Sequence, residues 1–277
     1  MGVSKKFNIF IDSNGGRLGN QIYPLMAGIT WYKRNTDLYY PKLYFKDYRR
    51  IGTRFLNSLS KNTLDFIYFS KTESEFDEIY NKAQLEGIFQ PYDPSVCCPE
   101  RDKHILLKGF LQTASLIDEK ECQKYLYCSS DEIKHKVFLK FGDISDSVCL
   151  HVRRTDYLNL GKREIYNVLS KEWIERVINK YYPNRQIICI SDDIGWCKKE
   201  LSGFNNIVFS DSGFDEVTDF WLQTLTCANI CSCSTFSLAG ASLNPNLNAV
   251  IPFPYHCPTS GRPNDILPEW IIKESLI

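Results

Sequence analysis

From Ser147 onward the apolar positions keep two rhythms that take turns. Val148 to Val152 is a short unbroken apolar run of the kind a buried strand needs. In the stretch 170–181, by contrast, Trp173, Ile174, Val177, Ile178 and Tyr181 fall at helical spacing on one face. The same exchange repeats: a strand at 186–190 then a helix to about Leu201, and a strand at 207–209 then a helix at about 215–227 carrying Val217, Phe220, Trp221 and Leu225. A short strand at 229–232 leads to a helix after Ser234 and a strand at 249–251. Strand and helix alternating in this way predict a parallel, doubly wound sheet.

The first half is less regular. A strand is expected at 7–11, then the glycine-rich stretch 14–21, then a helix from about Gln21 to Arg34 with Ile22, Leu25, Met26 and Ile29 on one face. Residues 36–100 are rich in Tyr, Phe, Lys and Asp and give one helix, at 73–84, before the proline-marked loop 90–99. A strand at 105–110 and a helical pattern at 116–127 follow. Ser129 or Ser130 then caps another helix, with Glu132 placed for a capping box behind Ser129. The break at Gly142 to Asp146 marks the expected boundary, dividing the chain into 1–145 and 146–277.

Polar residues recur at the same end of successive strands. Arg153, Arg154 and Asp156 follow the first strand of the second half, Asp192 and Asp193 the next, and Ser234 and Thr235 the last. In an open α/β sheet these ends meet in one crevice, where ligands bind. Two adjacent guanidinium forks suit a diphosphate, because each offers paired N–H donors to phosphate oxygens. Asp156 can hold one fork, and His151 sits just below the cluster. A plain Arg–Asp pair closing a strand, and ordinary helix caps at Asp192, Asp193, Ser234 and Thr235, would read the same way. The glycine-rich stretch lacks Gly-x-Gly-x-x-Gly spacing, so it is either a tight turn or an approach of backbone N–H groups to a ligand.

Composition narrows the partner. Hydrophobic residues make up 43% and charged residues 24%, with 33 acids against 33 bases. No global field draws in nucleic acid or an anionic membrane, so an anion must be held by local charge. No run is long and apolar enough to span a bilayer, and the N-terminal Lys5-Lys6 stretch lacks the apolar region of a signal peptide. Eleven cysteines, several inside apolar runs, fit a reducing compartment. Together these features lead us to expect a cytoplasmic protein, bacterial-like or viral. Cys227, Cys231 and Cys233, with His256 and Cys257, match no standard zinc spacing, and no Asp-x-Asp occurs, so no metal is expected.

With these stretches in view, the chain resembles the glycosyltransferase family 11 α-1,2-fucosyltransferases. Gly15-Gly16-Arg17-Leu18-Gly19-Asn20-Gln21 is similar to that family's Gly-Gly-x-Leu-Gly-Asn-Gln motif. The stretch from His151 to Tyr157 is similar to its His-x-Arg-Arg-x-Asp-Tyr motif. Ser191 to Asp193, Cys233 to Ala241 and Lys108 to Gln112 resemble further family segments, in the same order. Four positions depart: Cys233, Leu238 and Ala239 replace an Asn and two tryptophans, and Thr155 replaces a Gly.

The resemblance implies a GT-B-like fold of two Rossmann-like domains with a central cleft, an acceptor-side domain at 1–145 and a GDP-sugar domain at 146–277. It implies an inverting galactoside 2-α-L-fucosyltransferase-like enzyme that takes GDP-β-L-fucose as donor and a hydroxyl of an oligosaccharide or glycan as acceptor. By the same resemblance, Arg153, Arg154 and Asp156 would be the catalytic group. His151, Asp192, Asp193, Asp219, Ser234, Thr235 and Phe236 would bind the donor, and Gly16, Gly19, Asn20 and Gln21 would form the cleft loop. A base for the acceptor hydroxyl is left open between Asp12 and Glu164, and oligomeric state is left open too. Transfer of another GDP-linked deoxysugar, or a non-catalytic binding module on the same fold, are the competing readings.

Overall fold

The computed structural model describes residues 6–13, 16–37, 39–46, 51–70, 72–86, 88–89, 103–211, 213–260, 262 and 267–276. The expected loop at 90–99, together with Asn14 and Gly15, lies outside the described residues. The chain forms two compact units, Met1–Ser130 and Asp131–Ile277.

The first unit holds a five-stranded sheet of β1 (Phe7–Asp12), β2 (Tyr39–Phe45), β3 (Ile67–Phe69), β4 (Ile88–Phe89) and β5 (His104–Lys108), in the order β3-β2-β1-β5-β4. Every pairing is parallel. The helix after β1 runs Leu18–Arg34 and so begins earlier than its apolar pattern predicts, with Leu18 already buried. Gly28 lets that helix sit close on the sheet: a Cβ there would lie 2.5 Å from Ile11 Cδ1. Helices Thr53–Asn57 and Lys61–Phe66 and strands β2 and β3 were not predicted. In β2, Pro41 has no N–H for the ladder, and the register with β1 shifts between Phe7 and Ile9. The expected helix at 116–127 is a single 3-10 turn at Ala114–Leu116 followed by helix Glu119–Tyr125, which Asp118 caps.

The second unit holds six parallel strands: β6 (Val148–Val152), β7 (Ile187–Ser191), β8 (Ile207–Phe209), β9 (Ala228–Ile230), β10 (Ala249–Phe253) and β11 (Ile272–Ser275). Their order is β11-β10-β9-β6-β7-β8. Side chains alternate across β6. Val148, Leu150 and Val152 pack with Trp173, Ile174, Val177 and Ile178 of helix Lys171–Tyr181. Cys149 faces the other way, with Ile188, Ile190, Leu222 and Val137. Both faces are therefore covered, which is why the strand reads as continuous apolar sequence. Burying one such aliphatic or aromatic side chain contributes roughly 1.5–3 kcal/mol, so these two clusters dominate the unit.

Val137 also explains the division of the chain. Helix Asp131–Phe141, which the break at 142–146 assigned to the first half, packs on the second sheet and belongs to the second unit. Strand β11 was not expected, because Ile-Lys-Glu-Ser has no apolar rhythm. It is an edge strand held by side chains: Glu274 takes Lys180 at 2.8 Å and Tyr181 Oη at 2.6 Å, and Trp173 Nε1 donates to Ser275 O at 3.1 Å. Charge on an edge strand is a usual way to keep it from pairing further.

Candidate active site

The chain runs outward from β6 through β7 to β8, then crosses to the far side of β6 for β9, β10 and β11. The direction of winding reverses between β6 and β9. Open α/β sheets bind ligands beyond the carboxyl ends of the strands at such a reversal. Arg153, Arg154 and Asp156 come directly after β6, and β7 ends in Ser191, Asp192 and Asp193. The stretch from Cys231 to Ser237 comes directly after β9.

These residues meet. Arg153 Nη2 pairs with Asp156 Oδ1 at 2.5 Å and Nη1 with Asp192 Oδ2 at 3.1 Å. Asp192 Oδ1 also accepts from the Arg154 backbone N–H at 2.9 Å, and its other oxygen accepts from the Thr155 hydroxyl. Arg154 lies face-on to Trp196, its Cζ 3.7 Å from the ring centroid, and its Nε is 3.4 Å from Asp193 Oδ2. Both guanidinium groups are mostly buried, with 12% and 13% of their side-chain surfaces exposed. At that depth their charge is screened far less than a surface arginine's.

The local sequence builds this cluster directly. Asp193 caps helix Ile194–Glu200 by accepting from Trp196 N at 3.2 Å, and so places the indole one turn on, under Arg154. Ser191 Oγ donates to Val152 O at 2.8 Å and accepts from Asp193 N, tying the ends of β6 and β7. Capping and arginine pairing are thus made by the same aspartate. Asp156 takes a second cation, Lys162 Nζ, at 2.6 Å. Burial opposes ionisation there, but the Lys162 ammonium and the Arg153 guanidinium hold the Asp156 carboxyl below its usual range.

His151 is fully inside. Its Nδ1 meets Ser232 Oγ at 2.7 Å and the Ser237 hydroxyl, and its ring stands 5.1 Å from Phe236. Burial, with Arg153 nearby, pushes its pKa down to about 3, so the ring is neutral. Ser234 caps helix Thr235–Leu243, its Oγ accepting from Phe236 N at 3.3 Å, and Thr235 opens that helix. A helix of this length offers free N–H donors at its start, next to the arginines' strand end.

Asp219 stands apart. It lies in helix Glu216–Leu225, accepts from Ser210 Oγ at 2.9 Å, and none of its described hydrogen bonds reaches the arginines. Burial raises its carboxyl to about 6. Of the two carboxylates considered as a base, Glu164 is exposed, and Asp12 ends β1 with Lys46 Nζ 3.9 Å away.

The glycine-rich stretch belongs to the first unit. Gly16 has φ +97° and a Cβ there would strike Asn20 Nδ2 at 2.2 Å, so only glycine fits. Asn20 Oδ1 accepts from Gln112 Nε2 at 3.0 Å across the β1–β5 reversal, and the buried Gln21 accepts from Ser13 Oγ at 2.5 Å. Gly19 lies in the first turn of the helix.

Sequence reading missed Trp196, Lys162, Ser232 and Ser237 as contributors. Only Trp196 left a signal, three residues after a capping aspartate. The departures noted above have places as well. Thr155 adds its hydroxyl to Asp192, while Cys233, Leu238 and Ala239 are buried.

Two parallel α/β sheets in two units, each with its own reversal, are the parts of a GT-B-like fold. The model of the family described as "Glycosyl transferase family 11" matches residues 122–274, more than half of the chain. This chain is a member of that family. An α-1,2-colitosyltransferase of Escherichia coli is 26% identical over 199 residues, covering 68% of this chain. The chain spans about half the length of that relative, 54%. Among solved structures, the fucosyltransferase NodZ from Bradyrhizobium has a similar fold, with TM-score 0.55, 13% identity, 87% of this chain and 94% of that one covered. Arabidopsis thaliana FUT1 in complex with GDP gives TM-score 0.54 at 11% identity, covering 91% of this chain and 71% of that one.

Proposed function

We propose that this protein is an inverting fucosyltransferase, moving L-fucose from GDP-β-L-fucose to a glycan hydroxyl, with α-1,2 linkage. One observation carries the reading: Arg153 and Arg154 converge, nearly buried, with Asp156, Asp192 and Asp193 at the β6–β9 reversal. Departure of GDP places negative charge on the phosphate oxygens while the sugar carbon becomes oxocarbenium-like. Guanidinium groups already fixed by carboxylates and by an indole face need no reorganisation as that charge develops, which is how an enclosed site lowers a barrier electrostatically. Ser234 and Thr235, at a helix start, suit the distal phosphate. Neutral His151 with Phe236, Asp192 or Asp193, and Asp219 of helix Glu216–Leu225 are the groups offered to the nucleoside. Gly16, Gly19, Asn20 and Gln21, at the glycine-rich helix start of the first unit, are assigned to the acceptor by family resemblance.

With charge compensation supplied by side chains, the reaction needs no metal and no cofactor. The test is calorimetric binding of GDP with and without EDTA, beside the Arg154→Ala protein. Expected is GDP binding that EDTA leaves unchanged and that the substitution weakens by about 10- to 100-fold, the range for a charge-assisted bond to phosphate. Absence of GDP binding by the unsubstituted protein would end the donor assignment. Loss of binding in EDTA, restored by Mg²⁺ or Mn²⁺, would end the metal-independent reading alone.

A second reading, another GDP-linked deoxysugar in place of fucose, has in its favour the relative named for colitosyl transfer. Measuring donor hydrolysis with GDP-fucose against other GDP-deoxysugars decides between them.

A further inference from the structure

Tyr157 follows Asp156 in the 3-10 turn Asp156–Leu158 and is 8% exposed. Its hydroxyl donates to the backbone carbonyl of Cys233 at 2.9 Å, a contact that crosses 76 residues of sequence. That carbonyl belongs to the residue just before Ser234, the cap of helix Thr235–Leu243. The bond therefore joins the loop that carries Arg153 and Arg154 to the loop that starts the next helix. Burial pushes the phenol far above its ordinary range, so it remains a donor at any working pH.

The ring is fixed as firmly as the hydroxyl. One face stacks on Tyr166, centroids 4.6 Å apart and planes within 11°. Tyr166 in turn is anchored to the chain beyond β10: it forms a backbone bridge with His256, and Cys257 N donates to Ile165 O at 2.9 Å. The Arg153 guanidinium lies 5.7 Å from the centre of the Tyr157 ring. An aromatic side chain with its face occupied and its one polar atom used has little freedom left. It thus touches both the arginine loop and the residue before the Ser234 cap.

We propose that Tyr157 is a positioning residue for the donor diphosphate. It holds the arginine loop and the Ser234–Thr235 helix start at a spacing that lets one ligand touch both. This rests on the GDP-sugar reading above. A diphosphate would bridge the two loops, a monophosphate would engage chiefly the arginine side, and a nucleoside neither. Loss of the tether should thus cost affinity in proportion to the phosphates present.

The experiment compares guanosine, GMP and GDP binding to the unsubstituted protein and to Tyr157→Phe, which keeps the stacked ring and removes only the donor. Expected is a five- to tenfold loss for GDP, about what one net hydrogen bond supplies, with a smaller loss for GMP and none for guanosine. Melting temperature is followed alongside. Equal losses for all three ligands, or unchanged GDP affinity, would overturn the proposal, because a general structural role does not count phosphates. If the unsubstituted protein binds no GDP, the donor reading fails first and is recognised as such. Should Tyr157→Phe fold poorly, Tyr166→Leu removes the stack and leaves the donor, and the same rank order of losses is required of it.

Discussion

Two buried titratable side chains of the second unit, His151 and Asp219, pull the stability in opposite directions with pH. His151 is neutral because burial, helped by Arg153, lowers its pKa to about 3, whereas an unfolded histidine titrates near about 6.5. Between these values the unfolded chain takes up a proton that the folded chain refuses, so stability is lost as pH falls from about 6.5 toward 3. Asp219 is raised to about 6 by burial, above the roughly 3.9 of an unfolded aspartate. Across that window the folded chain keeps a proton the unfolded chain has released, so its contribution falls as pH rises from about 4 to 6. One fully engaged group changes stability by at most about 1.4 kcal/mol per pH unit. His151→Gln, which cannot titrate, should therefore flatten the drop in melting temperature between pH 7 and pH 5. Asp219→Asn should steepen it and raise the melting temperature at pH 7. Wild-type slopes in both variants would show that neither group governs the acid limb.

Helices Glu216–Leu225 and Thr235–Leu243 approach closely at one glycine. A Cβ on Gly240 would lie 2.7 Å from the Gln223 side-chain amide, whose nitrogen and oxygen are both buried with no hydrogen-bond partner among the described residues. Gly240→Ala should cost about 1–3 kcal/mol in urea unfolding, the usual penalty for overpacking. Adding Gln223→Ala removes the atom that is struck, so the double variant should recover part of that loss. Strictly additive effects would mean the two residues are not coupled through this contact.

Legibility in the sequence follows the same physics at this scale. Strands β6, β7 and β8 were readable because both faces are apolar and helices with clear stripes cover them. Strands β2 and β11 were not, since Pro41 interrupts the one and charged side chains carry the other. The arginine cluster was readable from strand ends and caps. The stacking of Arg154 on Trp196 was not, because it depends on how the first turn of helix Ile194–Glu200 is rotated by its Asp193 cap. Nor was the Tyr157–Cys233 bond, which joins two loops that only the crossover from β8 to β9 brings together.

The whole chain is balanced in charge, and the family match covers nearly all of the second unit but only the last few residues of the first. The arginine cluster lies in Asp131–Ile277, while the first unit carries the glycine-rich helix start on a sheet with its own reversal. If GDP is held where the arginines converge, its binding free energy stabilises the native state by mass action, roughly 2.7 kcal/mol at a hundredfold excess over Kd. That stabilisation should be local at amides whose exchange proceeds by partial opening. Hydrogen exchange followed with and without GDP should slow at 152–158, 191–196 and 232–238, and should leave β1 and helix Leu18–Arg34 unchanged until an acceptor is added. Slowing confined to the first unit would place the nucleotide away from the arginines and remove the basis for their assigned role. Slowing in the second unit, with the glycine-rich segment responding only to acceptor, would separate the two substrates between the two units.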